Sequence, residues 1–117
     1  MPFSPDYGED EPTRDEINQT TGLLLLEFGA SWCGHCGELS PTIEQILKTR
    51  PDVSHLRIAD ARGKALGRSF RVKLWPTLVL LQDGKVIAQL VRPTDDEVHR
   101  AFKLLKSGSE LTGPAGG

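Results

Sequence analysis

The chain is poor in cysteine: two residues in 117, at positions 33 and 36. A secreted scaffold held by cross-links carries more cysteines at wider spacing, so the fold must rest on an ordinary apolar core. There is no second Cys pair, and His35, His55 and His99 lack zinc-ligand spacing, which argues against a metal site. A large charge excess is also missing, since 14 Lys+Arg face 16 Asp+Glu, so the chain as a whole does not read as a nucleic-acid binder. No apolar run approaches membrane-spanning length, Leu23–Leu26 being the most uniform. The N-terminus has neither a basic region nor an apolar core of the kind that marks a leader. A reducing cytoplasm is therefore the expected location, with a periplasmic or secreted one implied only if a leader has been removed. We find no internal repeat.

What remains is the composition of a small soluble domain, with 38 % hydrophobic and 26 % charged residues. One such domain without a long exposed apolar stripe reads as a monomer. Charge is unevenly spread: residues 1–16 hold six acids and one base, and residues 57–73 hold six bases and one acid. Either these are two solvated faces or the second is a basic rim that favours acidic partners.

Along the chain, residues 1–12 read as an irregular lead-in, with a short edge strand near Phe3–Tyr7. Thr13 with Glu16 forms a capping box for a short helix that Gly22 ends. Leu23–Phe28 is an apolar run broken only by Glu27, the pattern of a central strand covered on both faces. From Gly34 to Arg50 the residues Leu39, Ile43, Ile46 and Leu47 recur at helical spacing. Pro41 should kink that helix and Pro51 stops it. Val53–Ala59 reads as a strand in which Leu56 and Ile58 alternate against His55 and Arg57. Residues 61–70 form a short helix or turn with Ala65, Leu66 and Phe70 facing inward. Thr77–Leu81 is a strand, Asp83-Gly84 a hairpin turn, and Lys85–Val91 the returning antiparallel strand. A second capping box, Thr94 with Glu97, starts a last helix with Val98, Phe102 and Leu105 inward. Residues 107–117 are rich in Gly, Ser and Pro and read as a disordered tail. The expectation is one α/β domain over residues 13–106. Its central mixed sheet has four to five strands, with helices on both faces.

The chemistry sits in Trp32-Cys33-Gly34-His35-Cys36, where a buried strand and short loop open into a helix. Two thiols at this spacing can close a disulfide across one helical turn. Cys33 would meet the unpaired N–H groups and the positive end of the helix dipole, which favour a thiolate. Cys36, one turn in, would be less exposed and suited to resolve a mixed disulfide. Haem attachment requires His directly after the second Cys, and Gly37 stands there.

Taken together, Phe28, Ala30, the Trp32–Cys36 string, Pro41, Trp75-Pro76-Thr77 and Asp83-Gly84 resemble the thioredoxin family over residues 13–106. The resemblance implies a thioredoxin-like fold, dithiol–disulfide exchange with protein substrates, and no cofactor beyond the Cys33–Cys36 disulfide. It implies an electron donor such as a thioredoxin reductase or glutathione. It makes Pro76 a cis proline lying against the cysteines, and makes the backbone of Trp75 the edge to which an extended substrate segment adds. The Trp75 ring either contacts the substrate or packs in the core. Trp32 would cover the site, and Gly34 would let the turn close tightly and a partner approach.

Departures from the family pattern tune this reading. His35 replaces the usual proline and gives a Cys-Gly-His-Cys motif similar to that of protein disulfide isomerases, which makes the disulfide more oxidising. Glu27 replaces a buried Asp. Burial should raise its pKa and let it exchange a proton with Cys36, unless it forms a salt bridge with Arg57. Arg92 replaces a glycine, and would add positive charge near the thiolate or meet a substrate carboxylate, or else point to solvent. Gly29 and Gly37 replace a tryptophan and a basic residue, which bears on recognition by a standard thioredoxin reductase. The alternative to an oxidoreductase is a binding module of the same fold whose redox activity is incidental.

Overall fold

The computed structural model describes residues 11–30, 33–61 and 64–105. The strand expected near residues 3–7, Trp32, and the tail from 107 lie outside them. The elements are α1 (Arg14–Asn18), β1 (Leu23–Gly29), α2 (Gly34–Thr49), β2 (Val53–Ala59), α3 (Ala65–Ser69), β3 (Thr77–Gln82), β4 (Lys85–Val91) and α4 (Asp95–Phe102).

Both expected capping boxes are present. The hydroxyls of Thr13 and Thr94 accept from the backbone N–H three residues on, at 3.1 Å, and the carboxylates of Glu16 and Glu97 accept from the cap N–H in return. The helix α2 runs through Pro41 and ends at Thr49, ahead of Pro51.

Among the described residues the sheet has four strands in the order β2-β1-β3-β4. β1 lies parallel to β2, antiparallel to β3, and β3 is antiparallel to β4. A parallel pair needs a crossover, and α2 supplies it. Alternation along each strand divides the core in two. Leu23, Leu25, Val53, Leu78 and Leu80 face α2 and α4, meeting Leu39, Ile43, Val98 and Phe102. Leu24, Leu26, Phe28, Ile58, Val79 and Leu81 face the other way, against Ile17 of α1 and Leu66 of α3. The expected inward Leu66 and Phe70 are buried, but Ala65 is exposed, because α3 is one turn long and its first residue faces solvent.

The second strand departs from its sequence pattern. His55 and Arg57 are both buried, at 3 % and 4 % exposure, on the same face as Val53. A strand covered by helices on both sides has no solvent face for its polar residues to occupy. Arg57 accordingly leaves the basic surface that the sequence suggested, whereas Arg68, Arg71 and Lys73 remain exposed.

The β3–β4 turn is pinned to the start of β1. The N–H of Asp83 donates to the Gly22 carbonyl and the Asp83 carboxylate accepts from the Gly22 N–H, both at 2.8 Å. Gly84, at φ 79°, lies so close to α1 that a Cβ would stand 1.9 Å from the Asn18 carbonyl oxygen. Along β4 the register skips Ile87 beside Leu80 and Leu81, a bulge on the outer strand.

Candidate active site

Cys33 is the N-cap of α2. Its extended backbone turns the chain from β1 into the helix, and its Sγ accepts from the Cys36 N–H at 3.2 Å. The first turn is closed by Gly37 N–H donating to the Cys33 carbonyl at 3.1 Å. Cys33 is half-buried, and Cys36 is buried at 1 % exposure. The two sulfurs thus differ in access, and the accessible one sits at the positive end of a sixteen-residue helix.

Between them Gly34 and His35 are exposed. Nothing lies within 4 Å of where a Gly34 Cβ would stand, so the turn itself does not require glycine; the open space is what remains of that expectation. His35 lines a pocket of about 320 Å3 with Glu38 and Leu39 of α2, Pro76, and residues 92–95.

The Trp75–Pro76 bond is cis. Trp75 is neither buried nor free. Its indole N–H donates to the Asp60 carboxylate at 2.8 Å, and its carbonyl accepts from Arg92 Nε at 2.8 Å. The Pro76 carbonyl accepts from the Arg92 N–H at 2.9 Å. The exposed Arg92 side chain therefore reaches back to the strand opening.

Beneath the site, Glu27 is fully buried and lies opposite Arg57 in the β1–β2 register. Its Oε1 is 3.0 Å from Arg57 Nε and 2.8 Å from His55 Nε2. Burial by itself pushes the Glu27 carboxyl upward, but the His55 hydrogen bond and the Arg57 guanidinium outweigh it and hold the pKa below its ordinary value. This corrects the expectation of a protonated Glu27: the side chain is a carboxylate in an ion pair, as the alternative reading with Arg57 had it, with His55 as an additional partner. Arg57 reaches further, its Nη2 donating to Ser40 Oγ at 2.5 Å, and Ser40 donates to the Cys36 carbonyl at 3.1 Å. A continuous polar chain thus ties β1 and β2 to the first turns of α2.

His55, Ser40 and Asp60 were not singled out from the sequence. Ser40 is four residues after Cys36, the spacing at which a hydroxyl bonds back to a helix carbonyl, and this was the available signal. The pairings of His55 with Glu27 and of Asp60 with Trp75 depend on contacts between separate segments. Among the described residues no three or more metal-ligating side chains gather, and no helix is long and apolar enough to cross a membrane.

A four-stranded mixed sheet covered on both faces, a helix opened by a Cys-x-x-Cys pair and a cis proline at the start of β3 define a thioredoxin-fold dithiol protein. A profile of the family described as Thioredoxin matches residues 8–103. The chain is 31 % identical to Thioredoxin H2-1 of Oryza sativa subsp. japonica over 98 residues, covering 84 % of this chain and 71 % of that one. It is 30 % identical to protein disulfide-isomerase like 2-2 of Arabidopsis thaliana over 88 residues, 68 % of this chain but 20 % of that protein. The solved structure of reduced thioredoxin 2 from Pseudomonas aeruginosa superposes with a TM-score of 0.76 at 42 % identity, covering 86 % of this chain and 94 % of that one. The chain belongs to the thioredoxin family, and it is a thiol–disulfide oxidoreductase.

Proposed function

We propose that Cys33 is the nucleophile and Cys36 the resolving thiol in the reduction of protein disulfides. The observation that carries this assignment is the asymmetry of the pair: Cys33 half-buried at the helix cap with an N–H aimed at its sulfur, Cys36 buried one turn in. The Cys33 thiolate attacks one sulfur of the substrate disulfide, forming a mixed disulfide and releasing the other sulfur as a thiolate that takes a proton from water. Cys36 then gives up its proton and attacks Cys33 Sγ. The Cys33–Cys36 disulfide forms and the second substrate thiol leaves. The substrate gains two electrons and two protons: the protein supplies both electrons and the Cys36 proton, and water supplies the other proton.

The substrate approaches as an extended segment along the backbone of Trp75, before Pro76, a mode that recognises main chain with little demand on sequence. Gly34 borders the approach, and Trp32, next to Cys33 in sequence, is assigned to substrate binding with it. His35, exposed beside the pair, raises the oxidising power of the disulfide. The working direction is reduction in the cytoplasm, as a monomer, with electrons returned by a thioredoxin reductase or glutathione. The domain carrying this activity spans residues 13–106. Glu27 acts here as a buried anchor of the helix rather than as a donor of a carboxyl proton.

Two measurements test this. Cys33→Ser should abolish reduction of an insulin disulfide, while Cys36→Ser should accumulate a mixed disulfide with the substrate; trapping by the wrong cysteine variant would reverse the assignment. Equilibration with glutathione buffers fixes the direction. A potential near about −270 mV supports a cytoplasmic reductant, and one near about −180 mV would replace that reading with an oxidant or isomerase.

A further inference from the structure

The connection from β4 to α4 passes the opening of β3, and Arg92 occupies it in a left-handed backbone conformation, φ 45°, that favours glycine. Non-glycine residues held there cluster at functional sites because the surroundings must impose the geometry. Here the surroundings are two consecutive carbonyls. The backbone N–H of Arg92 holds Pro76 at 2.9 Å and its side-chain Nε holds Trp75 at 2.8 Å. The side chain is exposed, and among the described residues it pairs with no carboxylate, although Glu38 and Asp95 line the same pocket. Of the five N–H donors of a guanidinium, one is engaged with Trp75.

We propose that Arg92 is a displaceable clamp on the Trp75 carbonyl, and that it selects substrates carrying a carboxylate beside their disulfide. The proposal rests on the strand-addition reading above. A segment adding to Trp75 needs that carbonyl for its own backbone N–H. The Arg92 guanidinium already donates to this oxygen at 2.8 Å, and so competes with the incoming amide for it. The segment must therefore move Arg92 aside. A neutral substrate gives the displaced cation nothing in return. An acidic one offers two oxygens matched to the planar fork. Glu38 and Asp95 compete for the released guanidinium, so the selection is modest.

The test uses three disulfide-linked peptides on the intact protein: one with Glu beside the cysteine, one with Gln there, and the Gln peptide N-methylated at the amide that would meet Trp75. The wild type is expected to show a kcat/KM about threefold to fivefold higher for Glu than for Gln, the factor of one exposed hydrogen bond. Arg92→Gly, which suits the left-handed backbone, should accelerate the Gln peptide by a similar factor and erase the preference. A Gln peptide that is not accelerated, or a Glu preference that survives Arg92→Gly, overturns the clamp. The methylated peptide separates the two readings. If methylation slows both proteins while Arg92→Gly changes nothing else, the clamp alone fails. If methylation has no effect in either protein, strand addition at Trp75 fails and the clamp with it.

Discussion

Glu27 and Arg57 stand opposite one another on neighbouring parallel strands, with carboxylate and guanidinium 3.0 Å apart and Arg57 linked through Ser40 to the Cys36 carbonyl. Neither group is reached by water to any useful extent. A buried charge with its partner removed is costly, so Glu27→Gln should act first on stability. We expect a loss of about 3 kcal/mol, measured as a lower urea midpoint with an unchanged slope. A variant as stable as the wild type would mean that the pair contributes no more than a neutral amide would.

The same pair sets a pH dependence whose sign is fixed. The folded-state pKa of Glu27 lies below its ordinary 4.5. The unfolded chain therefore binds the proton more readily, and stability rises with pH through this region. The contribution is fully present above the ordinary value and is lost as pH falls through the lower, folded one. The stability difference between wild type and Glu27→Gln should be level near neutrality and shrink once pH drops below about 4.5. Denaturant titrations at a series of pH values check this, and a difference that grows on acidification would contradict the ion pair.

Ser40 is the joint between this pair and the cysteine helix, accepting from Arg57 at 2.5 Å and donating to the Cys36 carbonyl at 3.1 Å. Ser40→Ala removes both bonds with no change of backbone preference against it. Thermal unfolding should register a loss of about 1–2 kcal/mol.

Two glycines make a paired prediction. Gly84→Ala adds a Cβ against the Asn18 carbonyl in a left-handed conformation, and should cost about 3 kcal/mol or more. Gly34→Ala adds a Cβ into open space at the start of a helix, and should stabilise by about 0.5 kcal/mol. Chemical denaturation of both variants distinguishes a glycine needed by the fold from one that is not.

Local rules made most of the frame legible. Both capping boxes, the 3.6-residue stripe of α2 and the hairpin at Asp83-Gly84 are written within a few residues of one another, and each forms as read. The cysteine pair falls at the helix cap for the same reason. The polar floor was harder to read. Burial of Glu27 follows from its apolar neighbours, but its charge depends on His55 and Arg57, some thirty residues away. Those two alternate with Leu56 and Ile58 in the manner of a half-exposed strand, and only the helices packed on both faces show that no solvent side exists. Arg92 is harder still, because its role depends on a backbone angle in a loop and on a carbonyl seventeen positions back.

The hydrogen bond from Trp75 to Asp60 has an optical consequence. The chain has two tryptophans, and this one carries its indole N–H on a carboxylate while its main-chain oxygen is held by Arg92. Asp60 in turn sits against Gly67, where a Cβ would lie 2.3 Å from its Oδ1. Replacing the other tryptophan, Trp32→Phe, would leave a single tryptophan whose indole and backbone are anchored to different segments. Its emission maximum would then be an intrinsic signal of segments entering or leaving the Trp75 edge, with no dye attached to the protein or to the peptide.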